Sequence, residues 1–369
     1  MHKNRATAEA TSAYASRHSN LAGNFRKVIG LDISSIGIGT YLGETDEETD
    51  HAYEEAIAAA IRGGINLIDT AVNYRFQRSE RNIGKVINEL VASKEIQREE
   101  IVVATKGGYI TFDGGVPADP RKWFEEKFVR TGIVGSGDMV EGSHCMTPKY
   151  LATILEMSRT NLGLETIDIY YLHNPETQLA AVDRKEFLAR IGKAFEFLER
   201  AVTENKIAYY GTATWNGYRA QQTERGWLSL DELLRVAREV AGDAHHFRAI
   251  QLPYNLAMPE AVTLANQGAP NEKTTAVAVA KTFGMAVCAS ASMLQGKLSQ
   301  GLPDILAEAF PSLTTDAQRA VQFVRSTPGI DVALVGMKSL PHVEDILAGA
   351  KQPPASREAL LKLFRSNKP

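Results

Sequence analysis

The sequence predicts an α/β fold, a closed (β/α)8 barrel, from three observations. Short apolar segments recur along the chain, and a stretch with helical periodicity follows each of them. The segments are nearly continuous Val, Ile and Leu runs, which is typical of parallel strands buried on both faces. Eight such units occur with no change in composition that would mark a second domain. An open doubly wound sheet is the alternative, but it usually has fewer strands and a glycine-rich first turn.

The eight units are assigned in chain order. The strands are predicted at 35–41, 65–71, 101–106, 167–173, 207–214, 249–255, 285–291 and 332–337. The helices that follow them are predicted at 50–62, 79–93, 148–162, 184–204, 229–241, 272–283, 314–326 and 340–350. An extra amphipathic helix is expected near 356–365. One barrel domain therefore spans 25–369, and the polar, small-residue-rich segment 1–24 is expected to be a flexible tail.

One connection is far longer than the others. Residues 107–147 link the third strand to its helix, and a loop of this length in a compact domain is usually functional. The insertion alternates glycines with aromatic side chains, and a short helix is expected over 120–128. Because it begins directly after a strand end, we expect a lid that places Tyr109, Trp123 and His144 beside the substrate. A packed appendage on the barrel wall, with Trp123 in its core, is the alternative.

Composition and charge limit the classes of function. The 41 basic and 44 acidic residues give a net charge of −3, so nothing favours a nucleic acid partner. No apolar run approaches the ~20 residues of a membrane span, and the N-terminal segment lacks an apolar signal region. The cysteines, Cys145 and Cys288, form no paired motif, which suits a reducing compartment. We therefore expect a cytoplasmic protein that acts on a small molecule.

Two weaker patterns point to other ligands. Gly37, Gly39 and Gly43 are one residue away from the spacing of a dinucleotide fingerprint, and the acidic residue of a proper βαβ unit is missing. His245 and His246 precede a strand, on the face of a barrel where residues serve stability, so no metal site is expected.

Polar residues at strand ends mark the candidate active site, because barrel enzymes build their sites there. The second strand ends at Asp69 and runs into Tyr74, the third ends at Lys106, and the fourth ends at His173. Ionised groups after buried strands are costly unless they are partnered. Tyr74 is a candidate proton donor whose phenolate Lys106 would stabilise, while Asp69 would orient Lys106. His173 would position a substrate oxygen. A structural ion pair with a packed tyrosine and histidine is the alternative.

Nine further segments occur in an order and spacing that match one enzyme family. They are GIGTY (37–41), DTAVNY (69–74), SERNIG (79–84), ATK (104–106), LGLETIDIYYLHNPE (162–176), YYGTATWNG (209–217), IQLPYN (250–255), SMLQGKL (292–298) and VALVGMKS (332–339). The sequence, over roughly residues 25–350, thereby resembles the aldo-keto reductase superfamily. Asp69, Tyr74, Lys106 and His173 fall on the four catalytic positions of that family.

The resemblance implies a fold, a cofactor and a reaction. The fold is a (β/α)8 barrel whose bottom is closed by a hairpin at 25–34. The cofactor is NADPH, with NADH as a possibility, bound in extended form at the carboxyl ends of the strands. Hydride passes to the carbonyl carbon of an aldehyde or ketone while the tyrosine protonates the oxygen, or the reverse occurs on an alcohol or sugar. The implied cofactor-binding residues are Thr40, Tyr41, Asp69, Thr214, Gln251, Ser290, Ser292, Met293, Gln295, Gly336, Lys338, Ser339, His342 and Asp345. Tyr41 is also expected to contact the substrate.

The chain departs from the family pattern at several positions. Two residues are inserted between Tyr74 and Ser79, and the usual Ser-Asn pair after the fifth strand is Ala213–Thr214. Ser290 replaces the aromatic residue that stacks on the nicotinamide, and His342 stands where an arginine is expected near the 2′-phosphate. A histidine is only partly protonated at neutral pH, so we expect a modest preference for NADPH over NADH.

Two other functions remain open at this stage. Some members of the family are cofactor-binding regulatory subunits with weak or no turnover, although intact Asp69, Tyr74, Lys106 and His173 favour an enzyme. A barrel lyase or isomerase without nicotinamide is disfavoured by the cofactor-like residues after the seventh and eighth strands.

Overall fold

Eight parallel strands close into a barrel in the computed structural model, which describes residues 1–21, 23–269 and 272–363. Two strands precede the barrel, β1 (Phe25–Val28) and β2 (Leu31–Ser34). The barrel strands are β3 (Ile36–Gly39), β4 (Leu67–Asp69), β5 (Val102–Gly107), β6 (Ile167–His173), β7 (Ile207–Ala213), β8 (Phe247–Pro253), β9 (Ala286–Ser290) and β10 (Val332–Gly336). Each strand pairs with the next in the chain, and β10 pairs with β3 to close the ring. The predicted barrel is confirmed.

Helices cover the outside of the barrel, and further helices lie near both ends of the chain. They are α1 (Ala8–Arg17), α2 (Glu47–Arg62), α3 (Arg78–Ala92), α4 (Pro120–Phe124), α5 (Pro148–Leu162), α6 (Arg184–Thr203), α7 (Leu230–Ala241), α8 (Glu260–Thr263), α9 (Ala276–Thr282), α10 (Asp304–Ala309), α11 (Asp316–Ser326), α12 (Leu340–Ala350) and α13 (Arg357–Lys362). Helix α9 is shorter than predicted because Thr275 caps its first turn, accepting a hydrogen bond from the Ala278 N–H. Helix α13 lies within the predicted range 356–365, whose last two residues fall outside the described part of the chain.

The β1–β2 hairpin closes the amino-terminal end of the barrel, as expected. The two strands pair in antiparallel register from Phe25 opposite Ser34 to Val28 opposite Leu31. Ile29 and Gly30 form the turn with φ of 46° and 85°, which matches the right-handed twist of the flanking strands. Val28 and Leu31 then pack in one apolar cluster with side chains from inside the barrel.

The expectation of a flexible tail over residues 1–24 is wrong for most of that segment. Helix α1 packs against the hairpin end of the barrel, where Tyr14 is buried and its hydroxyl donates to the Ile65 carbonyl at 3.2 Å. Arg17 forms a two-pronged salt bridge with Glu100, at 2.8 and 2.7 Å. The sequence hides this helix because it buries only Thr11 and Tyr14, so its apolar periodicity is weak.

The insertion over 107–147 forms a small substructure with its own apolar cluster. Helix α4 runs on into a single π turn at Glu125–Val129, which confirms the short helix expected there. Phe128 and Val134 pack with Tyr150 and Ile154, which belong to helix α5 on the outside of the barrel. The insertion is thereby attached to the barrel wall.

No helix within the described ranges is both long and apolar enough to cross a membrane.

Candidate active site

The ends of strands β4 and β5 bring three of the four candidate catalytic residues into direct contact. The Lys106 ammonium, which is fully buried, lies 2.7 Å from the Asp69 carboxylate and 3.2 Å from the Tyr74 hydroxyl. It also donates to the Thr70 carbonyl at 2.8 Å. The second oxygen of Asp69 accepts a hydrogen bond from Gln251 at 2.7 Å. Both carboxylate oxygens are therefore satisfied, which a buried charge requires.

Burial and charge set the protonation states of these groups. Burial raises the pKa of Tyr74 above 10.0, although the nearby Lys106 ammonium opposes this shift. For Lys106, burial alone would lower the pKa, but Asp69 and Tyr74 outweigh it and raise the pKa above 10.5. At neutral pH the site therefore contains a protonated phenol beside a protonated amine. This arrangement suits a tyrosine that donates its proton only to a proton acceptor bound next to it.

His173, at the end of β6, lies on the other side of Tyr74. The centres of the two rings are 6.0 Å apart, and the Tyr109 ring stands edge-on to His173 at 5.0 Å. Burial, followed by the charge of Lys106, lowers the pKa of His173 well below 6.5. Its Nδ1 atom has no hydrogen-bond partner among the residues that the structure describes. His173 is therefore a neutral imidazole at the mouth of the barrel.

A cavity of about 740 Å³ opens above these residues and extends to helix α12. Its lining contains most of the residues predicted from the sequence: Thr40, Tyr41, Asp69, Tyr74, Tyr109, His173, Thr214, Gln251, Ser290, Ser292, Met293, Gln295, Gly336, Lys338, His342 and Asp345. Lys106 is not among them because it is buried beneath Tyr74, which does line the cavity and accepts a hydrogen bond from the Lys106 ammonium. The structure thus gathers residues from all eight barrel strands, or from the loops that follow them, around one cavity.

Besides Lys106, three predicted residues lie outside the cavity lining. Ser339 is the residue before helix α12 and flanks the cavity without lining it. Trp123 faces the interior of the insertion, where its ring contacts Phe112 and Phe128 at 5.0 and 5.6 Å. The structure therefore places Trp123 against the aromatic cluster of the insertion, away from the residues that line the cavity. Packing of aromatic rings within one cluster buries more apolar surface than projection over an open cavity would.

His144 is the third residue outside the lining, and it is hydrogen-bonded to the backbone of His173, which lines the cavity. It is 1% exposed, and its Nε2 donates to the His173 carbonyl at 2.8 Å while its Nδ1 accepts from Gln178 at 2.8 Å. Burial lowers the pKa of His144 to about 4, so both hydrogen bonds are made by the neutral ring. The side chain is enclosed between the insertion and β6, so the structure places it next to the cavity and not in its lining.

The insertion over 107–147, which was expected to form a lid, lies mostly outside the cavity lining. Of all the residues of the insertion, Tyr109 alone lines the cavity. Its hydroxyl accepts a hydrogen bond from Asn174 at 3.1 Å, and its carbonyl accepts one from Tyr150 at 2.8 Å. The root of the insertion is thus part of the site, whereas its bulky remainder packs on the barrel wall.

Sequence reasoning missed several residues at the mouth, chief among them Trp215. This side chain is 41% exposed and lines the cavity, and the turn that carries it is fixed by Glu176. One carboxylate oxygen of Glu176 accepts the backbone N–H groups of Trp215, Asn216 and Gly217, at 3.0, 3.1 and 3.1 Å. Trp215 follows directly after Thr214, so its position after a strand end was the signal available. Leu42, Asn73 and Asn174 also line the cavity.

No group of three or more histidine, cysteine or acidic side chains that could hold a metal ion occurs in the described part of the chain. His246 instead pairs with Glu199 at 2.7 Å, at the opposite end of the barrel from the cavity.

Comparison with known proteins identifies the family. The family model described as "Aldo/keto reductase family" matches residues 35–304, which is most of the chain and includes seven of the eight barrel strands. The chain therefore belongs to the aldo/keto reductase family.

Relatives in sequence and in structure agree with this assignment. An NADH-specific methylglyoxal reductase from Escherichia coli is 27% identical over 191 residues, which is 50% of this chain and 49% of the relative. A probable aldo-keto reductase 1 from Glycine max is 28% identical over 187 residues, covering 49% of this chain and 42% of the relative. The alignments thus span about half the length of these curated relatives or less.

Solved structures resemble the whole barrel. A glycerol dehydrogenase from Gluconobacter oxydans has a TM-score of 0.63 at 19% identity, covering 93% of this chain and 94% of that one. An aldo/keto reductase from Klebsiella pneumoniae in complex with NADP and acetate has a TM-score of 0.61 at 20% identity, covering 93% and 95%. At this identity the likeness shows a shared fold.

Proposed function

We propose that the protein is an NAD(P)H-dependent oxidoreductase that reduces an aldehyde or ketone, or oxidises the corresponding alcohol or sugar. One observation carries the proposal: the Tyr74 hydroxyl faces a large cavity while the buried Lys106–Asp69 pair lies 3.2 Å behind it. A structural ion pair alone would not need a tyrosine at this position. The aldo/keto reductase family membership supports the same reaction class.

The cavity fits a nicotinamide dinucleotide. Its lining includes Tyr74 as well as residues of helix α12, and its volume is in the range of cofactor sites. The Thr214 hydroxyl is buried without a hydrogen-bond partner in the described part of the chain, beside Gln251. A carboxamide placed there would satisfy both side chains. When bound, the cofactor supplies a hydride to the carbonyl carbon.

Tyr74 acts as the general acid in reduction. Its proton passes to the carbonyl oxygen, and the resulting phenolate is stabilised by the Lys106 ammonium, which Asp69 keeps charged and oriented. In the reverse direction the phenolate accepts the proton of the alcohol. His173, held neutral by burial, donates a hydrogen bond to the same oxygen and orients the carbonyl toward the hydride donor.

The mouth of the cavity favours a small substrate with apolar or aromatic character. Tyr41, Trp215 and Tyr109 line it, and Tyr41 stands edge-on to Tyr74 with ring centres 5.0 Å apart. Asn174 contributes the nearby polar group. The methylglyoxal reductase and glycerol dehydrogenase among the similar proteins act on small carbonyl or alcohol compounds, which supports a ligand of this size.

The adenosine end of the cavity supports a modest preference for NADPH over NADH. Lys338 provides positive charge and His342 a ring nitrogen for hydrogen bonding to a 2′-phosphate, but Asp345 lines the same region as a carboxylate. Both Asp345 oxygens accept hydrogen bonds from Thr315, at 3.1 and 2.9 Å, which holds the negative charge in place. The opposing charges reduce discrimination, so NADH is also accepted. One relative is NADH-specific, and one similar structure contains NADP.

A cytoplasmic location completes the proposal. Cys145 and Cys288 are both buried free thiols. Cysteines that form no disulfide are typical of proteins in a reducing compartment such as the cytoplasm.

Turnover with a panel of small aldehydes and ketones tests the function. We expect steady oxidation of NADPH by the wild-type protein and its loss in Tyr74→Phe, with cofactor affinity retained. A protein that binds NADPH and turns over no carbonyl or alcohol would instead be a regulatory subunit.

A further inference from the structure

The backbone directly after Tyr74 has an unusual conformation. Arg75, Phe76 and Gln77 have φ values of 48°, 51° and 76°, so three consecutive residues other than glycine lie in the left-handed region. This region is unfavourable for residues that have a Cβ atom, and such strain persists only where surrounding interactions enforce it. The segment occupies three of the four residues, 75–78, that separate the DTAVNY and SERNIG motifs.

Arg75 supplies the enforcing interactions on one side. Its side chain is buried and donates to the Glu44 carbonyl at 2.7 Å, to Asn82 at 3.0 Å and to Asp50 at 2.7 Å. The guanidinium also lies over the ring of Tyr53, 5.2 Å from its centre. A planar fork with donors in three directions matches these acceptors, which a lysine cannot do.

The other two residues attach the segment to the insertion. Gln77 donates to the Phe112 carbonyl at 2.8 Å, and the Phe76 carbonyl accepts the Gly114 N–H at 2.9 Å. The rings of Phe76 and Phe112 are 6.1 Å apart. The strained segment therefore connects the loop after β3, which contains Glu44, to the start of the insertion.

This connection also reaches the cavity. Tyr53, beneath the Arg75 guanidinium, lines the cavity and donates its hydroxyl to the Leu42 carbonyl, and Leu42 lines the cavity as well. Tyr74 is the residue immediately before Arg75, and its hydroxyl lies 3.2 Å from Lys106. We therefore expect relaxation of the left-handed segment to change the backbone position of Tyr74 and to lengthen this distance.

We propose that Arg75 is a positioning residue that locks the left-handed segment and thereby holds the Tyr74 hydroxyl against Lys106. This inference rests on the proposed role of Tyr74 as the general acid. It assigns a function to the segment between the DTAVNY and SERNIG motifs: the buried guanidinium of Arg75 fixes the orientation of the acid and connects it to both loops at the mouth of the cavity.

The test is a double-mutant cycle between Arg75→Met and Tyr74→Phe. In the wild-type background we expect Arg75→Met to lower kcat for carbonyl reduction at least tenfold, with KM and the Kd of NADPH changed less than threefold. In the Tyr74→Phe background the same change should lower kcat less than twofold, because the group that Arg75 positions is already absent. A role limited to general stability would lower kcat equally in both backgrounds.

Two further variants complete the experiment. Arg78→Met is the matched control, since the Arg78 guanidinium pairs with the same Asp50 carboxylate, and the Arg78 N–H that donates to the Arg75 carbonyl is retained in this variant. Its kcat should stay within threefold of wild type. Arg75→Lys keeps the charge and replaces Arg75→Met if that variant is insoluble; its kcat should fall at least fivefold.

The outcomes separate the two proposals. If Tyr74→Phe loses activity but both Arg75 variants retain it, or if the two losses are additive, the positioning role is overturned and the function stands. If Tyr74→Phe itself retains wild-type kcat, the proposed acid is wrong, and the Arg75 proposal falls with it.

Discussion

Lys106 lies at the end of strand β5, and the insertion over 107–147 begins at the same place, yet the two are held by different interactions. Lys106 is buried beneath the cavity, where Asp69, Thr70 and Tyr74 occupy its hydrogen-bonding directions. The insertion leaves the same strand, contributes Tyr109 to the cavity, and then packs its aromatic rings into a cluster on the barrel wall. Adjacent positions in sequence thus belong to the proposed catalytic site in one case and to a packed cluster in the other.

The difference follows from what each region requires of the chain. A parallel strand places its carboxyl end at one edge of the barrel, so a charged residue at that point must face the mouth or be paired beneath it. A long loop has no such constraint, and its aromatic side chains pack wherever they bury most surface. Substitutions in the two regions should therefore have separable effects on catalysis and on stability.

The largest kinetic effect beneath the cavity is expected from Lys106→Met. Loss of the ammonium removes the charge that stabilises the Tyr74 phenolate, and kcat for reduction should fall by about 10²–10⁴-fold. Steady-state kinetics with saturating NADPH would measure it. Because Asp69 would be left as an unpaired buried charge, Asp69→Asn/Lys106→Met serves as the stability control and should be equally slow. A loss of less than about tenfold in both variants would place the critical charge elsewhere.

Phe128→Ala, in the insertion, should have the opposite effect: it should lower stability and leave catalysis nearly unchanged. Phe128 is buried against Phe124 and Tyr150, with ring centres 5.5 and 5.6 Å apart, so truncation leaves a cavity and lowers the free energy of unfolding by about 3 kcal/mol. Denaturant titration would measure this, with Phe128→Leu as the milder control at less than about 1.5 kcal/mol. We expect kcat/KM to stay within threefold. A tenfold loss of kcat/KM in a variant of normal stability would restore the lid hypothesis.

The pH dependence sharpens the description of the catalytic pair. Burial raises the pKa of Tyr74 above 10.0, and Asp69 and Tyr74 raise that of Lys106 above 10.5, so both groups stay protonated as pH rises through 9. Reduction, which uses the protonated phenol, should be independent of pH between about 6 and 9. Alcohol oxidation, which needs the phenolate, should rise about tenfold per pH unit over the same interval.

The same profile tests His173. Its lowered pKa keeps the ring neutral, so the reduction rate should show no break near pH 6.5. A break at that pH that disappears in His173→Gln would contradict the neutral role.

Lys338→Met should give the smallest effect. Lys338 lies at the cavity with Asp345 nearby, and an exposed charge contributes little. We expect the Kd of NADPH to rise by about tenfold or less and the Kd of NADH to stay unchanged, as measured by titration of protein fluorescence. Lys351→Met, at the other end of α12, is the control and should change neither. Equal weakening of both cofactors would remove Lys338 from the 2′-phosphate site.

The barrel and the residues beneath its cavity were predictable because each depends on a local signal. Apolar strands buried on both faces gave all eight barrel strands, and a polar residue after a strand end indicated Asp69, Lys106 and His173. Thr214 and Gln251 were instead indicated by the family resemblance. In these cases one segment determines where its side chains lie, and periodicity reveals it.

The parts that could not be predicted depend on contacts between distant segments. Trp123 and His144 were expected at the substrate because aromatic and polar groups in a loop fit either a lid or a buried cluster equally well. Helix α1 buries only two of its residues, so its packing through Tyr14 leaves little pattern in the sequence. The left-handed residues after Tyr74 contain no glycine and give no sequence signal at all.

The central claim, that a buried lysine and a cavity-facing tyrosine form one acid–base unit, is tested most directly by Tyr74→Phe. The measurement compares kcat for carbonyl reduction with the Kd of NADPH in the wild-type protein and in the variant. The account predicts a fall in kcat of about 10²–10⁴-fold with the Kd of NADPH changed less than threefold. A folded variant whose kcat falls less than tenfold would contradict it.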